Sequence, residues 1–195
     1  MRVMRHVGSP SLGVPGQDYR VLIMRATQKL LQRVGPPTLR DGEQSTTLLG
    51  EWYATALFWK PPVALLVNEA TLLPVLMPLA PAVTLPTRIA QQIATVLTAH
   101  GTPPAIVEDE LQRMRPCRVA RTANRSVVGI MTEFTHLAEV CHNPDPDLLD
   151  LALRLATTPC GPLYGRNVSP DRELSALLRS SATQRHSRHS EGSLG

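Results

Sequence analysis

Alternating apolar and polar positions predict strands in the first part of the chain. The segment YRVLIMRA at 19–26 is rich in apolar and β-branched residues, which favours a strand. The segment EWYATALFW at 51–59 alternates two sets of side chains, and a Lys-Pro-Pro turn separates it from the apolar run VALLVN at 63–68. The pattern therefore predicts a β-hairpin over 51–68, and a further short strand follows at 71–77.

Helical spacing of apolar residues predominates in the remainder of the chain. Prolines, capping residues and glycines mark the ends of several of these segments, as is typical of helices. One returning strand is predicted at 118–122. The predicted helices are 26–34, the segments that begin at Pro86 and at Thr102, the segment from Met131 to Cys141, 148–156 and 171–178.

Strands in the first half and helices in the second half predict an α+β fold. We expect a small, mainly antiparallel sheet, made of the 51–68 hairpin, the N-terminal strand and one later strand, covered by about five helices. A single domain is predicted over 19–180. The segments 1–18 and 181–195 are polar and lack periodicity, so we expect a disordered extension and a disordered tail.

Composition excludes several classes of protein. The chain has 195 residues, of which 43% are apolar and 18% charged, as in a soluble globular protein. Its longest apolar stretch, 72–83, contains three prolines and is shorter than the roughly 20 residues of a membrane-spanning helix. The first residues include no apolar segment of the secretory kind. Three cysteines cannot all pair, so we expect a reduced, cytoplasmic compartment.

The distribution of charge argues against a large nucleic-acid surface. The net charge is +4, but residues 24–178 contain 14 basic and 14 acidic side chains. The whole basic excess therefore lies in 1–23 and 179–195. Aromatic residues make up only 4% of the chain, too few for an extended base-stacking surface. Nucleic acid is thus a possible partner, but a less favoured one than a protein.

Five segments, in this order along the chain, resemble those of a bacterial family classed as a domain of unknown function. They are MRATQKLL (24–31), LGEWYA (49–54), VNEATLLPVL (67–76), RTANRSVVGIMTEF (121–134) and TPCGPLYG (158–165). The resemblance implies a small soluble bacterial protein, with Lys29, Trp52 and Asn68 at positions that relatives share. It brings no activity, cofactor or catalytic residue. It also implies that residues 1–20 are a dispensable extension or precede the true start of translation.

The arginine-rich segment 113–125 contains the strongest candidate for a binding site. In a strand-to-helix turn, backbone N–H groups, guanidinium groups and a hydroxyl could together hold a phosphate or a carboxylate. The alternative is that Asn124 or Ser126 caps the following helix, while the arginines pair with the carboxylates at 108–110. The candidate anion-binding residues are Arg121, Asn124, Arg125 and Ser126.

Two further positions are candidates for contact with a protein partner. Trp59 lies beside the hairpin turn, where an exposed tryptophan would anchor a partner. Core packing accounts equally well for Trp52 and Phe58. Asn68 ends a buried strand and is followed by Glu69 and Thr71, at a place where loops commonly carry function. The alternative for Asn68 is a turn closed by its own side chain.

The sequence predicts neither a metal site nor a bound cofactor. Glu133 and His136 form a single E-x-x-H motif, whereas a di-iron bundle needs two. The cysteines lack C-x-x-C spacing, and there is no Walker A loop, dinucleotide fingerprint or nucleophile elbow. A Cys–His nucleophilic pair stays open, because such partners meet in space rather than in sequence.

The leading prediction is a small bacterial cytoplasmic protein that binds a partner protein and has no catalytic activity of its own. A first alternative is binding of a phosphate-bearing ligand, a nucleotide or nucleic acid at the 121–126 turn. A second alternative is an enzyme with a dispersed site. No membrane partner is expected.

Overall fold

The computed structural model describes residues 20–141, 147–160 and 169–191, with side chains up to residue 183. The predicted extension at 1–18 lies outside the described residues. Five strands form one sheet in this part of the chain. They are β1 (Leu22–Ala26), β2 (Trp52–Leu57), β3 (Val63–Asn68), β4 (Pro74–Pro78) and β5 (Cys117–Arg121), and they lie in the order β4-β3-β2-β1-β5.

The sheet is mixed. Strands β2, β3 and β4 are antiparallel neighbours joined by short turns, whereas β1 runs parallel to both β2 and β5. Parallel pairing of consecutive strands requires a long crossover connection, and a helix lies in the one between β1 and β2. Two further helices lie between β4 and β5. The α+β class and the predicted hairpin are confirmed. The expectation of a mainly antiparallel sheet holds only for the β2–β4 half.

Six α-helices belong to the described part of the chain, against an expected number of about five. They are α1 (Gln28–Val34), α2 (Leu85–Ala99), α3 (Pro104–Arg113), α4 (Arg125–Val140), α5 (Leu148–Ala156) and α6 (Pro170–Glu191), and a short 3-10 turn (Ala82–Thr84) precedes α2. No helix among these residues is long and apolar enough to cross a membrane.

Helix α6 is longer than the sequence pattern predicted. The pattern ended this helix at 178 and assigned 181–195 to a disordered tail, but the backbone stays helical to Glu191. Past Leu178 the residues form no apolar stripe, which is why periodicity gave no helical signal there. The segment 179–191 contains neither glycine nor proline, so nothing in it breaks the helix.

Apolar side chains on the two sheet faces pack against different helices. Neighbouring residues of a strand point to opposite faces, so Trp52 and Tyr53, both fully buried, enter separate clusters. The Trp52 cluster is covered mainly by α1, α2, α3 and α6, and the Tyr53 cluster by α4 and α5. The Phe58 side chain is 59% exposed, because β2 ends at Leu57 and the chain leaves the sheet there.

The long connection between α1 and β2 is held by buried and half-buried carboxylates. Glu110 of α3, which is 2% exposed, accepts hydrogen bonds from the N–H groups of Leu48 (2.8 Å) and Leu49 (3.0 Å). Farther back in the connection, Glu43 pairs with Arg118 of β5 at 3.1 Å. These contacts guide the chain to the start of β2, where Glu51 directly precedes Trp52, the residue opposite Met24 of β1.

Candidate functional site

Polar side chains gather at the carboxyl end of β1, on the sheet face that carries α4. Arg25 lies opposite Tyr53 of β2 in the parallel register, and Glu69 directly follows the last residue of β3. Strand β5 ends beside β1 and leads into α4. An open cleft of about 600 Å³, which we call the β1 cleft, lies among these elements, and its lining residues are Arg25, Glu51, Tyr53, Glu69, Ala123, Asn124 and Arg125.

A two-point ion pair forms one side of the β1 cleft. The Arg25 guanidinium donates through Nε and Nη2 to the two carboxylate oxygens of Glu51, the second bond being 3.1 Å long. Its Nη1 donates to the backbone carbonyl of Arg121 at 3.2 Å. Both side chains of the pair are about one-fifth exposed. The hydrogen bond with Glu51 raises the pKa of Arg25, so this charge is permanent and locally neutralised.

A hydrogen-bonded triad of Tyr53, Glu69 and Asn124 forms the other side. The Tyr53 hydroxyl donates to Glu69 Oε1 (3.3 Å) and accepts from the Asn124 backbone N–H (3.0 Å). The Asn124 side-chain amide donates to the same oxygen of Glu69 at 3.0 Å. Its carbonyl oxygen accepts from Ser126 N–H (3.0 Å) and Val127 N–H, and so caps α4. Asn124 thereby ties the start of α4 to the ends of two strands.

Burial keeps the Tyr53 phenol protonated. It is the main cause of the raised pKa of Tyr53, and the nearby Glu69 carboxylate raises it further. The N–H of Asn124 acts in the opposite direction without reversing the shift. A group that exchanges protons in catalysis needs a pKa close to the working pH. Tyr53 is therefore a fixed hydrogen-bond donor.

The structure brings two of the four candidate anion-binding residues into the β1 cleft. Asn124 lines it and Arg125 stands exposed at its rim, without an ion pair or hydrogen bond from its guanidinium to any residue that the structure describes. Arg121 is exposed outside the lining, and its Nη1 donates to Gln28 Oε1 at 3.4 Å. The Ser126 side chain is also exposed.

The alternative interpretation, in which this segment caps a helix and its arginines pair with the carboxylates at 108–110, is confirmed in part. Asn124 caps α4, as that interpretation required. Of the arginines, Arg113 pairs with Asp109 at 3.0 Å, whereas Arg118 pairs with Glu43 instead. The anion-binding role itself stays a prediction.

A family match covers most of the chain. Residues 23–173 match the domain of unknown function DUF6933. The chain belongs to this family. The match begins within β1 and ends within α6, so the whole β1 cleft lies inside the DUF6933 domain. No curated protein and no solved structure matches the chain.

In this DUF6933 domain, Asn68 lies in the interior rather than at the surface. Its side chain is fully buried and donates to the carbonyls of Leu49 (2.8 Å) and Glu51 (3.2 Å). Its oxygen accepts from the N–H groups of Ala70 and Thr71 and from the Thr71 hydroxyl. All its hydrogen-bonding groups are used inside the chain, as the turn interpretation proposed. Asn68 positions Glu51 and Glu69 instead of touching a ligand.

Trp59 is half-buried at the hairpin turn. Its ring packs against the apolar cluster on the α4 face, next to the exposed Phe58. The aromatic ring offered to solvent at this turn is thus mainly that of Phe58. Contact of Trp59 with a partner stays a prediction.

Burial holds two of the three cysteines in the thiol form. No group of three or more metal-ligating side chains lies together within that part of the chain. Burial raises the pKa of Cys117 to about 12 and that of Cys160 to about 11. Both thiols are therefore protonated at neutral pH, and a thiol in that state is a poor nucleophile.

Three residues of the β1 cleft escaped the sequence interpretation: Arg25, Glu51 and Tyr53. One signal was available, since Arg25 is a charged residue inside an otherwise apolar strand, which requires a partner. That partner could not be named from the sequence. It depends on the parallel pairing of β1 with β2, which no local pattern indicates.

Proposed function

We propose that the protein is a non-catalytic binding protein and that the β1 cleft is where it contacts a partner protein. The observation that carries this proposal is the contrast between a saturated cleft and an unpaired cation at its rim. The Arg25–Glu51 pair and the Tyr53–Glu69–Asn124 triad satisfy one another. Among the described residues, Arg125 alone of the charged residues lining the cleft has no partner for its side chain.

Such a surface suits recognition better than reaction chemistry. Both carboxylates of the cleft already accept hydrogen bonds from neighbours. Burial raises the pKa of Tyr53, so its phenol is not poised to give up a proton near neutral pH. A guanidinium that is free to turn can form a two-point contact with a carboxylate. We therefore expect an acidic side chain of the partner at Arg125, with uncharged polar contacts across the rest of the cleft.

A second candidate function is binding of a phosphate-bearing ligand at the 121–126 turn. The observation that favours it is that Arg121 and Arg125 are both exposed on either side of the start of α4, a 16-residue helix. The amino end of a helix attracts anions. A long nucleic acid fits less well, because residues 24–178 carry no net charge.

Photo-crosslinking from the cleft tests the proposal. A photoreactive amino acid replaces Ala123, which is exposed and lines the cleft, in full-length chain expressed in its native host. The matched control carries the same group at Val140, which is 85% exposed at the far end of α4. We expect a discrete protein adduct from position 123 that is absent from position 140, and a weaker adduct when Arg125→Gln is added.

Two outcomes would contradict the proposal: equal adducts from both positions, or an adduct at position 123 that Arg125→Gln leaves unchanged. Excess inorganic phosphate separates the two candidate functions. If the 121–126 turn holds phosphate, added phosphate suppresses the adduct, and an Arg121→Gln, Arg125→Gln double variant no longer binds phosphate. If the turn does not hold phosphate, neither effect occurs.

A further inference from the structure

A second pocket forms where β1 stops short of its neighbour. Strand β1 ends at Ala26, opposite Ala54, while β2 continues to Leu57. The chain turns into α1 at this point and leaves a gap between α1, β2 and α4. The gap is a pocket of about 170 Å³, which shares no lining residue with the β1 cleft, and its lining includes Thr27, Lys29, Thr55, Val128, Met131 and Thr135.

Two threonine hydroxyls leave one hydrogen for a ligand. The side-chain oxygens of Thr27 and Thr55 lie 3.0 Å apart, so one hydroxyl donates to the other. Each hydroxyl carries one hydrogen, and neither has another partner among the described residues. The second hydrogen is therefore available inside the pocket. Thr55 is 4% exposed. Thr27 does not use its hydroxyl to cap α1. Within the described residues, both hydroxyls therefore form hydrogen bonds only at this pocket.

Lys29 adds an unpaired positive charge at the mouth of the pocket. Its side chain is exposed and forms no ion pair with any residue that the structure describes. The ammonium lies 5.7 Å from the centre of the Phe58 ring, and the guanidinium carbon of Arg33 lies 5.3 Å from the same centre. The Phe58 ring attracts the Lys29 ammonium, and the Lys29 side chain also lines the pocket.

The opposite wall combines apolar side chains with two hydroxyl groups. Val128 and Met131 of α4 supply the apolar surface. The Thr132 hydroxyl donates to the Val128 carbonyl at 3.1 Å and the Thr135 hydroxyl to the Met131 carbonyl at 2.7 Å, which leaves both oxygens able to accept a hydrogen bond. The pocket is small: at about 30 Å³ for each water-sized group, it takes a ligand of about six non-hydrogen atoms.

We propose that the pocket formed by Thr27, Lys29 and Thr55 binds a small oxyanion, either a short-chain carboxylate or a phosphate. The charged oxygens contact the Lys29 ammonium and accept the free hydroxyl hydrogen. The remainder of a carboxylate ligand lies against Val128 and Met131. This site is independent of the partner-binding function of the β1 cleft.

Methyl NMR of the full chain tests the site. The protein, labelled at its methionine methyl groups, is titrated with sodium butyrate in one arm and sodium phosphate in the other, at constant ionic strength. We expect a saturable shift of the Met131 methyl resonance with at least one probe. The methyl of Met77, which belongs to the cluster on the opposite sheet face, stays unchanged.

A matched pair of lysine variants tests whether the Lys29 charge binds the ligand. Lys29→Gln lowers the affinity of the responding probe about tenfold or more, because it removes a charge-assisted contact. Lys60→Gln, at the exposed hairpin turn, leaves the affinity unchanged. Thr55→Val removes the buried hydroxyl and also weakens binding. If the Thr55→Val chain does not fold, the Lys29→Gln variant, which is altered only at the surface, still tests the proposed site.

The two arms identify the class of oxyanion. A response to butyrate alone assigns a carboxylate, a response to phosphate alone assigns a phosphate, and a response to both assigns a general oxyanion site. The proposal is overturned if neither probe gives a saturable shift at Met131, or if Lys29→Gln binds as tightly as the unaltered chain.

Discussion

At the scale of single residues, the interior amide of Asn68 organises the approach to the β1 cleft. It connects the residues before β2 with the turn after β3 through bonds to Leu49, Glu51 and Thr71. The same turn places Leu72 at φ 59°, a left-handed conformation that is uncommon for a branched side chain. The side chain of Leu72 is nevertheless buried in the cluster under α4. The Asn68 bonds help to hold this conformation in place.

Replacement of Asn68 by alanine tests that role. The change leaves buried carbonyl and N–H groups without partners, so we expect the free energy of unfolding to fall by about 2–4 kcal/mol. Urea denaturation measures it. Ser126→Ala, at an exposed hydroxyl, is the control, and a change within about 0.5 kcal/mol is expected there. A loss for Asn68→Ala no larger than that of the control would contradict the structural role.

The buried carboxyl of Glu110 predicts a pH dependence of stability. Burial raises the pKa of Glu110 more than the N–H bonds from Leu49 and Leu48 lower it. Above its ordinary pKa of 4.5, the folded chain therefore binds a proton that the unfolded chain has released. Stability falls as the pH rises through the window between the unfolded and folded values, and it is constant above the folded value.

Chemical denaturation of the unaltered chain and of Glu110→Gln, across a pH series, isolates this contribution. The difference in unfolding free energy, unaltered chain minus variant, should decrease as the pH rises from about 4.5 and then level off. Glu108→Gln, at an exposed position of the same helix, is the control for loss of a charge. A difference that grows with pH would show the opposite sign of the shift.

At the scale of elements, the Asn124 cap couples α4 to the cleft. We expect Asn124→Ala to destabilise the protein by about 1–2 kcal/mol through loss of the cap. Asn124→Ser retains a capping oxygen but lacks the amide N–H group that donates to Glu69, so it should recover most of this loss. Thermal unfolding of both variants measures the effect. Equal destabilisation by alanine and serine would mean that the bond to Glu69, and not the cap, carries the energy.

The elements that the sequence predicted well are those with a local cause. The alternation and the Lys-Pro-Pro turn were sufficient for the β2–β3 hairpin, and the apolar stripe over 148–156 was sufficient for α5, although its capping residue is Asp147 and not the predicted Asp145. The parallel pairing of β1 was not predictable in this way, because it follows from how the α1–β2 connection is anchored to Glu110. The polar half of α6 has no periodic signal either.

At the scale of the whole molecule, the sequence predicted the residues at one side of the β1 cleft but not the ion pair and the tyrosine that form the rest of it. Asn124 and Arg125 lie next to each other in a recognisable turn, so a local pattern could identify them. Arg25, Glu51 and Glu69 come from three separated segments that meet only in the folded sheet. Local chemistry identified groups capable of binding, and tertiary structure decided which of them remain free to bind.

The proposed function requires Arg125, at the rim of the β1 cleft, to recognise an acidic group of a protein partner. The most direct measurement is the affinity of the partner captured at position 123 for three chains: unaltered, Arg125→Gln and Arg172→Gln. Arg172 is an exposed arginine on α6, outside the cleft lining. We predict that Arg125→Gln weakens binding about tenfold or more while Arg172→Gln leaves it unchanged. Equal affinities for all three chains would contradict this role of Arg125.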